Sequence, residues 1–210
     1  MANVRVKICG ITNSEDAFAA VRLGADYIGL NFYSKSPRYL NFSAAKEIVR
    51  NFSGPAKIIG VFVNEELELI GEAIREIPLH GIQLHGDESA DLAADIAEKL
   101  NIPVIKAYRI KPDDDPASIK IRDNVDVLLD AFTEKEFGGT GKTIDWTFAQ
   151  KISAGTKRLF LAGGLRVENV AAAIKIVKPF AVDVCSSIEK APGIKDLETM
   201  KRFIEAVKTI

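Results

Sequence analysis

The sequence predicts an α/β protein of the (β/α)8 class, a TIM barrel built as a single domain from residues 1–210. Short apolar runs with strand character alternate with helical patterns about eight times along the chain. Successive strands are expected to end 22 to 32 residues apart, the length of one strand-plus-helix unit. Eight such units favour a closed parallel barrel over the alternative, an open doubly wound sheet. The predicted strand ends are Cys9, Phe32, Val63, His85, Tyr108, Asp130, Ala162 and Val184.

The helical segments begin or end at residues that favour those positions. Asn13 precedes the first helix and Gly24 ends it, and Pro78 stops the third helix. Asp145 and Asp196 are expected to cap the sixth and last helices, because a side-chain oxygen can accept from the free N–H groups of the first turn. The helices are expected at about 14–23, from 43, at 65–76, at 87–100, as a short helix after 112–116, from 145, at 166–177 and from 196.

Alternation within the strands predicts which side chains point into the barrel. In the sixth strand, Val125, Val127 and Leu129 alternate with Asp126 and Asp130. The first, fourth and eighth strands alternate in the same way, and the β-branched and leucine set suits the surface that faces the helices. The other set therefore points inward. The side chains predicted to converge at the C-terminal mouth are Cys9, His85, Asp130 and Cys185.

Composition excludes several classes of function. Charged residues make up 27% of the chain and hydrophobic residues 47%, with a formal net charge of -1. This balance argues against nucleic acid and against an anionic membrane surface as partners. Two cysteines are too few for a disulfide scaffold, and neither a signal peptide nor a membrane span is apparent. We therefore expect a cytoplasmic protein with reduced thiols.

Two loops are suited to binding phosphate. Gly163-Gly164 follows the seventh strand, and Ser186-Ser187 follows the eighth. Loops at these two places commonly bind phosphate in such barrels, because backbone N–H groups point at the anion. The alternative is that the glycines form a tight turn and nothing more.

A glycine-rich segment, 138–143, resembles a nucleotide-binding loop. That motif requires a glycine where Glu136 stands, and the segment lies in a long excursion instead of tightly between a strand and a helix. We therefore interpret it as a lid beside Asp130 and not as an ATP site.

Two further polar residues are candidates for contact with a ligand. Arg38, in the loop after the second strand, is suited to binding a substrate carboxylate in bidentate fashion, although such an arginine is usually a solvated surface charge. His85 is either a ligand-contacting residue or a hydrogen-bonded polar residue of the core. No second histidine or carboxylate shares a metal-binding spacing with it, so no metal site is expected.

Motifs along the whole chain resemble those of the phosphoribosylanthranilate isomerase family. The matching segments are KICGIT (7–12), SPRYL (36–40), GVFVN (60–64), IQLHGDE (82–88), LLD (128–130), GGTGKTIDW (138–146), LAGGL (161–165), VDVCSSIE (182–189) and PGIKD (192–196). The family usually has Ser-Gly where this chain has Ser186-Ser187, so the chain departs from the family in one of its phosphate loops.

The resemblance implies an isomerase of tryptophan biosynthesis that performs an Amadori rearrangement without cofactor or metal. Its substrate would be the phosphosugar N-(5-phosphoribosyl)anthranilate, with Cys9 as general base and Asp130 as general acid. The other residues that we expect to contact substrate are Arg38, His85, Gly163, Gly164, Asp183, Ser186 and Ser187. A monomer and a homodimer are both compatible with the sequence.

Two alternatives differ from this reading in a recognisable way. A sugar-phosphate isomerase of histidine biosynthesis, which the resemblance associates with two aspartates, is disfavoured by Cys9 at the end of the first strand. A non-catalytic phosphosugar-binding barrel would need no acid–base pair.

In a closed barrel, the eighth strand pairs with the first, so Cys9 and Cys185 are also predicted to be neighbours that oxidation could link.

Overall fold

Eight parallel strands close into a barrel in the computed structural model, which describes residues 4–50, 54–132 and 143–210. Each strand pairs with the next along the chain, and the eighth pairs with the first through Ile8 and Val184. The predicted (β/α)8 class is thereby confirmed. The strands are β1 Arg5–Ile8, β2 Tyr27–Asn31, β3 Lys57–Phe62, β4 Gly81–Leu84, β5 Val104–Ile110, β6 Val125–Ala131, β7 Leu159–Leu161 and β8 Ala181–Val184.

Helices cover the outside of the barrel, and between β5 and β6 the described connection contains only a short 3₁₀ helix, Pro116–Ser118. The expected caps are present, since Asn13, Asp145 and Asp196 accept hydrogen bonds from backbone N–H groups of the first turns of their helices. The α-helices are α1 Ser14–Arg22, α2 Phe42–Arg50, α3 Leu67–Glu76, α4 Ala90–Leu100, α5 Trp146–Gly155, α6 Val170–Val177 and α7 Leu197–Lys208.

Two helices begin later than the periodicity predicts, because side chains organise the preceding residues into turns. Before α4, Asn64 accepts from the N–H of Asp87, and the N–H of Asn64 donates to Glu88. Ser89 then caps the helix. Before α6, the side chain of Asn169 accepts from the N–H of Arg166 and so closes the turn in which the helix was expected to start.

The alternation of the strands separates an inner core from an outer one. Side chains such as Val182 and Val184 pack toward the helices, whereas Asp183 between them points into the barrel. Tyr27 and Phe160 meet edge to face inside the barrel, with ring centroids 5.5 Å apart. The predicted parity is therefore confirmed. The inner apolar cluster consists of Tyr27, Ile59, Ile105, Ala107, Leu128, Phe160, Ala162 and Ala181.

A hairpin after β8 is absent from the sequence prediction. A 3₁₀ helix, Ser186–Ile188, is followed by the antiparallel strands β9 (Glu189–Ala191) and β10 (Ile194–Lys195). The hairpin lies against the loop after β1, where the hydroxyl of Thr12 donates to the carbonyl of Gly193. It therefore brings Glu189 and Lys195 to the barrel mouth.

None of the helices in the described part of the chain combines the length and the apolar character that crossing a membrane requires.

Candidate active site

A cavity opens at the C-terminal mouth of the barrel, where the strand ends and the following loops meet. Every residue that the sequence singles out for catalysis or substrate contact lines this cavity. They are Cys9, Arg38, His85, Asp130, Gly163, Gly164, Asp183, Ser186 and Ser187. The strands contribute Asp130 and Asp183, and Cys9 and His85 follow directly after strand ends, because inward-pointing side chains reach the mouth there. The other residues come from the loops that follow β2, β7 and β8.

The Cys9 side chain lies among groups that favour its ionised form. Cys9 follows β1, and its backbone N–H donates to the carbonyl of Val184, 2.9 Å away. A hydrogen bond from the Cys185 thiol and the positive charges of Lys7 and Lys195 lower the pKa of Cys9 well below its ordinary value, although burial opposes them. The same contact and burial raise the pKa of Cys185, whose Sγ lies 3.8 Å from the carboxylate of Glu189. Of the two thiols, Cys9 is therefore the one whose surroundings favour the ionised form.

A buried ion pair lies next to the Cys9 thiol. Nζ of Lys7 is 3.0 Å from Oδ1 of Asp183, and the Lys7 side chain is entirely buried. Burial raises the pKa of Asp183 to about 7, although the attraction of Lys7 opposes the rise. Burial by itself would lower the pKa of Lys7, but the charges of Asp183 and Cys9 together raise it above its ordinary value. The ammonium therefore stays protonated between two groups that can carry negative charge.

Asp130 belongs to β6 and is held beside His85. Its Oδ1 accepts from the N–H of Ala131 at 2.8 Å, and its Oδ2 lies 3.3 Å from Nε2 of His85. Nδ1 of His85 lies 2.7 Å from Nε2 of Gln83. Nε2 of His85 faces Asp130, but no described residue, Asp130 included, makes a contact with it that meets hydrogen-bond geometry. The buried Oε1 of Gln83 has no hydrogen-bond partner in the described structure.

Arg38 reaches the cavity from the loop after β2 but is not a free surface charge. Ser36 shapes this loop, since its hydroxyl accepts from the N–H of Arg38 and from the amide of Asn31. The guanidinium pairs with Glu189 through Nε and Nη2, while the described residues offer no acceptor to Nη1. Arg38 is consequently held in place with one nitrogen left for a ligand.

The loops after β7 and β8 present unpaired backbone donors. Among residues 143–210 and the rest of the described chain, no acceptor takes the N–H groups of Gly163, Gly164, Ser186 or Ser187. A side chain at position 163 would strain the backbone, which has φ +76° there, and would place Cβ 2.8 Å from the nitrogen of Ala131. The hydroxyl of Ser187 donates to the carbonyl of Leu165 at 2.5 Å and so ties the two loops together. This corner is suited to an anion such as phosphate.

Sequence reasoning missed three charged residues of the site. Lys7 could have been found from the sequence, because it lies two positions before Cys9 and therefore points to the same, inward face of the first strand. Glu189 and Lys195 lie on the unpredicted hairpin, and no periodicity marks them. Nζ of Lys195 is 2.6 Å from the carbonyl of Cys9 and 2.8 Å from Oε1 of Glu189.

The glycine-rich segment interpreted as a lid lies mostly outside the described residues. Positions 138–142 belong to the undescribed part, and the described chain resumes at Thr143. Ile144 is buried, and its Cγ2 lies 3.0 Å from the Cβ position of Gly163. The residue that follows this segment therefore lies close to the loop after β7.

Comparison with known proteins places the chain in a family. The family model for N-(5'-phosphoribosyl)anthranilate (PRA) isomerase matches residues 6–206. An N-(5'-phosphoribosyl)anthranilate isomerase of Pseudomonas paraeruginosa is 44% identical over 213 residues, which cover 100% of this chain and 97% of that protein. The crystal structure of the Thermotoga maritima enzyme aligns with TM-score 0.88 and 41% identity, covering 99% of this chain and 100% of the other.

A second solved structure carries a ligand. It is a phosphoribosyl anthranilate isomerase in complex with reduced 1-(o-carboxyphenylamino)-1-deoxyribulose 5-phosphate. It aligns with TM-score 0.85 and 40% identity over 99% of this chain and 100% of that one. Similarity of this degree over the full length, together with the matching barrel, shows that the chain belongs to the N-(5'-phosphoribosyl)anthranilate isomerase family.

Proposed function

We propose that this protein converts N-(5-phosphoribosyl)anthranilate into 1-(2-carboxyphenylamino)-1-deoxyribulose 5-phosphate, as an isomerase of tryptophan biosynthesis. The observation that carries the proposal is the arrangement of Cys9 and Asp130 at the mouth cavity. Cys9 follows β1 and is favoured as a thiolate, whereas Asp130 belongs to β6, which is separated from β1 by β7 and β8 around the ring. A base and an acid on separate sides of one cavity can flank a sugar bound between them.

The acid step belongs to Asp130 in this mechanism. Protonated Asp130 donates its proton to the furanose ring oxygen, the bond between that oxygen and C1′ breaks, and the anilino nitrogen forms a Schiff base with C1′. His85 supports this role, because its Nε2 lies 3.3 Å from Oδ2 of Asp130 and can steer the carboxyl group toward the cavity.

The base step belongs to Cys9. The thiolate removes the proton from C2′, the freed electron pair forms the C1′–C2′ double bond, and the iminium nitrogen recovers its lone pair while it keeps its own hydrogen. The resulting enolamine tautomerises to the ketone, so that substrate and product have the same atoms. Positioned proton transfers of this kind each contribute typically ~100- to 10,000-fold in rate.

The two anionic ends of the substrate fit different corners of the cavity. The phosphate suits the unpaired N–H groups of Gly163, Gly164, Ser186 and Ser187. The anthranilate carboxylate suits Nη1 of Arg38, because the guanidinium is held in place by Glu189. Asp183 also lines the cavity, where it pairs with Lys7 and is placed to contact the sugar.

Turnover of the fluorescent substrate tests the proposal. N-(5-phosphoribosyl)anthranilate, formed from anthranilate and phosphoribosyl pyrophosphate by a separate transferase, is mixed with catalytic amounts of the protein. We expect continuous loss of anthranilate-type fluorescence over many equivalents, together with a product that borohydride reduces as a ketone. A change limited to one equivalent per protein would instead identify a phosphosugar-binding barrel and reject the isomerase proposal.

A further inference from the structure

Lys7 is an ammonium group placed in the interior of the barrel directly below Cys9. It lies on β1 two residues before Cys9, points inward, and has no measurable solvent exposure. Nζ lies 3.0 Å from Oδ1 of Asp183. Nζ and the sulfur of Cys9 also share the space beside Gly29, where they lie 3.3 Å and 2.8 Å from the position that a Cβ would take. Because an isolated buried ammonium is strongly unfavourable, both neighbours matter for keeping it charged.

The charges around Cys9 do not balance unless Cys9 is ionised. Three cations lie around this corner of the cavity, namely Lys7, Lys195 and Arg38. Among the described residues, only two carboxylates form ion pairs with these cations, Asp183 with Lys7 and Glu189 with the other two. With Asp183 ionised, a neutral Cys9 leaves these ion pairs with one excess positive charge, whereas a Cys9 thiolate makes their sum zero.

Of the two lysines near Cys9, Lys7 is the one whose ammonium group borders the same space beside Gly29 as the Cys9 sulfur. Nζ of Lys195 donates to the carbonyl of Cys9 and to the carboxylate of Glu189. The sulfur that it contacts is Sγ of Cys185, 3.9 Å away. The thiol of Cys185 donates to the carboxylate of Glu189, which lies 3.8 Å from its sulfur.

We propose that Lys7 is a positioning residue that holds the Cys9 side chain as a thiolate, and that Asp183 fixes the Lys7 ammonium against that sulfur. Lys7 acts only through Cys9, since it is closed off from the cavity. The importance of this ionisation for catalysis rests on the proposed function, but the ionisation itself can be measured without any isomerase assay.

The experiment compares Lys7→Met with Lys106→Met. Lys106 is also buried, lies on β5 in an ion pair with Glu88, and does not line the mouth cavity. Both changes are made in a Cys185→Ser background, which leaves Cys9 as the one cysteine of the chain. The rate of alkylation by iodoacetamide is measured against pH, with thiolate absorbance near 240 nm as a second readout.

Lys7→Met is expected to move the alkylation midpoint up by at least about one pH unit, since an adjacent opposite charge typically lowers a pKa by 1–3 units. Lys106→Met is expected to leave the alkylation midpoint unchanged. Lys7→Arg, which keeps the positive charge, is expected to give a midpoint close to that of the parent protein. The acid limb of kcat/KM should move with the midpoint, and activity of Lys7→Met should recover as the pH is raised above the new midpoint. A purely structural role would not produce this recovery.

Two outcomes separate this proposal from the proposed function and from a folding defect. A shifted midpoint in a protein without isomerase activity supports the Lys7 role and rejects the function. If Lys7→Met does not fold, the double variant Lys7→Met/Asp183→Asn removes both buried charges at once and should show the same upward shift. An unchanged midpoint in either folded variant overturns the proposal.

Discussion

Arg38 and Glu189 meet in a bidentate pair across the barrel mouth, with Nε 2.9 Å from Oε1 and Nη2 2.6 Å from Oε2. Burial would raise the pKa of Glu189, but hydrogen bonds from Arg38 and the charge of Lys195 hold it below its ordinary value. The pair joins the loop after β2 to the hairpin after β8. It leaves Nη1 as the part of the guanidinium able to bind a ligand.

Replacing Arg38 tests whether its guanidinium group, held in place by Glu189, binds the substrate carboxylate. We expect Arg38→Ala to raise KM by roughly 10- to 100-fold with a smaller effect on kcat, because a hydrogen bond to a charged group contributes about 1.5–3 kcal/mol. The loss should be smaller for a substrate analogue without the anthranilate carboxylate, measured by competition. Arg122→Ala, which removes an exposed partner of Asp91, serves as the control. Equal weakening of both ligands would show that Arg38 does not touch that carboxylate.

Replacing the proposed acid and base tests their roles separately. Cys9→Ala and Asp130→Asn are each expected to lower kcat by at least ~100-fold, as the loss of a general base or acid should. Circular dichroism and thermal unfolding should remain close to those of the parent, because both side chains lie at the edge of the cavity. Near-normal turnover in either variant contradicts the role given to that residue.

Gly29 of β2 tests how tightly the Cys9 sulfur is positioned. A Cβ at Gly29 would lie 2.8 Å from Sγ of Cys9 and 3.3 Å from Nζ of Lys7, in a backbone conformation that alanine tolerates. Gly29→Ala should therefore displace the sulfur and lower kcat by at least about tenfold, since displacements near 1 Å can cost ~100-fold. Gly71→Ala in α3 is the matched control and should be neutral or stabilising by up to about 1 kcal/mol. Unchanged kcat in Gly29→Ala would mean that the sulfur has room to move.

Ser187 departs from the family pattern without backbone strain. Ser187 is not among the described residues with positive φ, and its hydroxyl is engaged with the carbonyl of Leu165. We therefore expect Ser187→Gly to change the affinity for phosphate or ribose 5-phosphate only slightly, with a loss of stability of about 0.5–1.5 kcal/mol for the hydrogen bond. Competition assays and urea unfolding measure the two effects. A gain of tenfold or more in phosphate affinity would identify the serine as a defect of the site.

The adjacent cysteines are expected to make the protein sensitive to oxidation. The register places Ile8 opposite Val184, so Cys9 and Cys185 follow as neighbours, both partly exposed at the cavity. Neighbouring strands lie ~4.8 Å apart, within the ~4.4–6.8 Å between Cα atoms that a disulfide spans. Diamide, which takes up one hydrogen from each thiol as the S–S bond forms, should inactivate the protein reversibly and remove two hydrogens from its intact mass. Cys185→Ser should be protected, and equal inactivation of that variant would rule out the bridge.

The sequence by itself determined the features that depend on local geometry. Asp130 and Cys185 could be assigned to the barrel interior because successive side chains of a strand alternate between its faces. The caps at Asn13, Asp145 and Asp196 were equally readable, because each side chain reaches only to its own helix. These short-range rules, repeated eight times, were enough to predict the barrel and the strand ends that surround its mouth.

Only the tertiary structure decided which charges meet there. Lys7 and Asp183 are 176 residues apart in the chain and Arg38 and Glu189 are 151 apart, so no local pattern pairs them. Closure of β8 onto β1 makes the first pair, and the hairpin after β8 makes the second. Whether Cys9 is a buried thiol or a thiolate depends on these long-range neighbours, because electrostatic energy in a poorly solvated interior is set by distance in space and not by position in sequence.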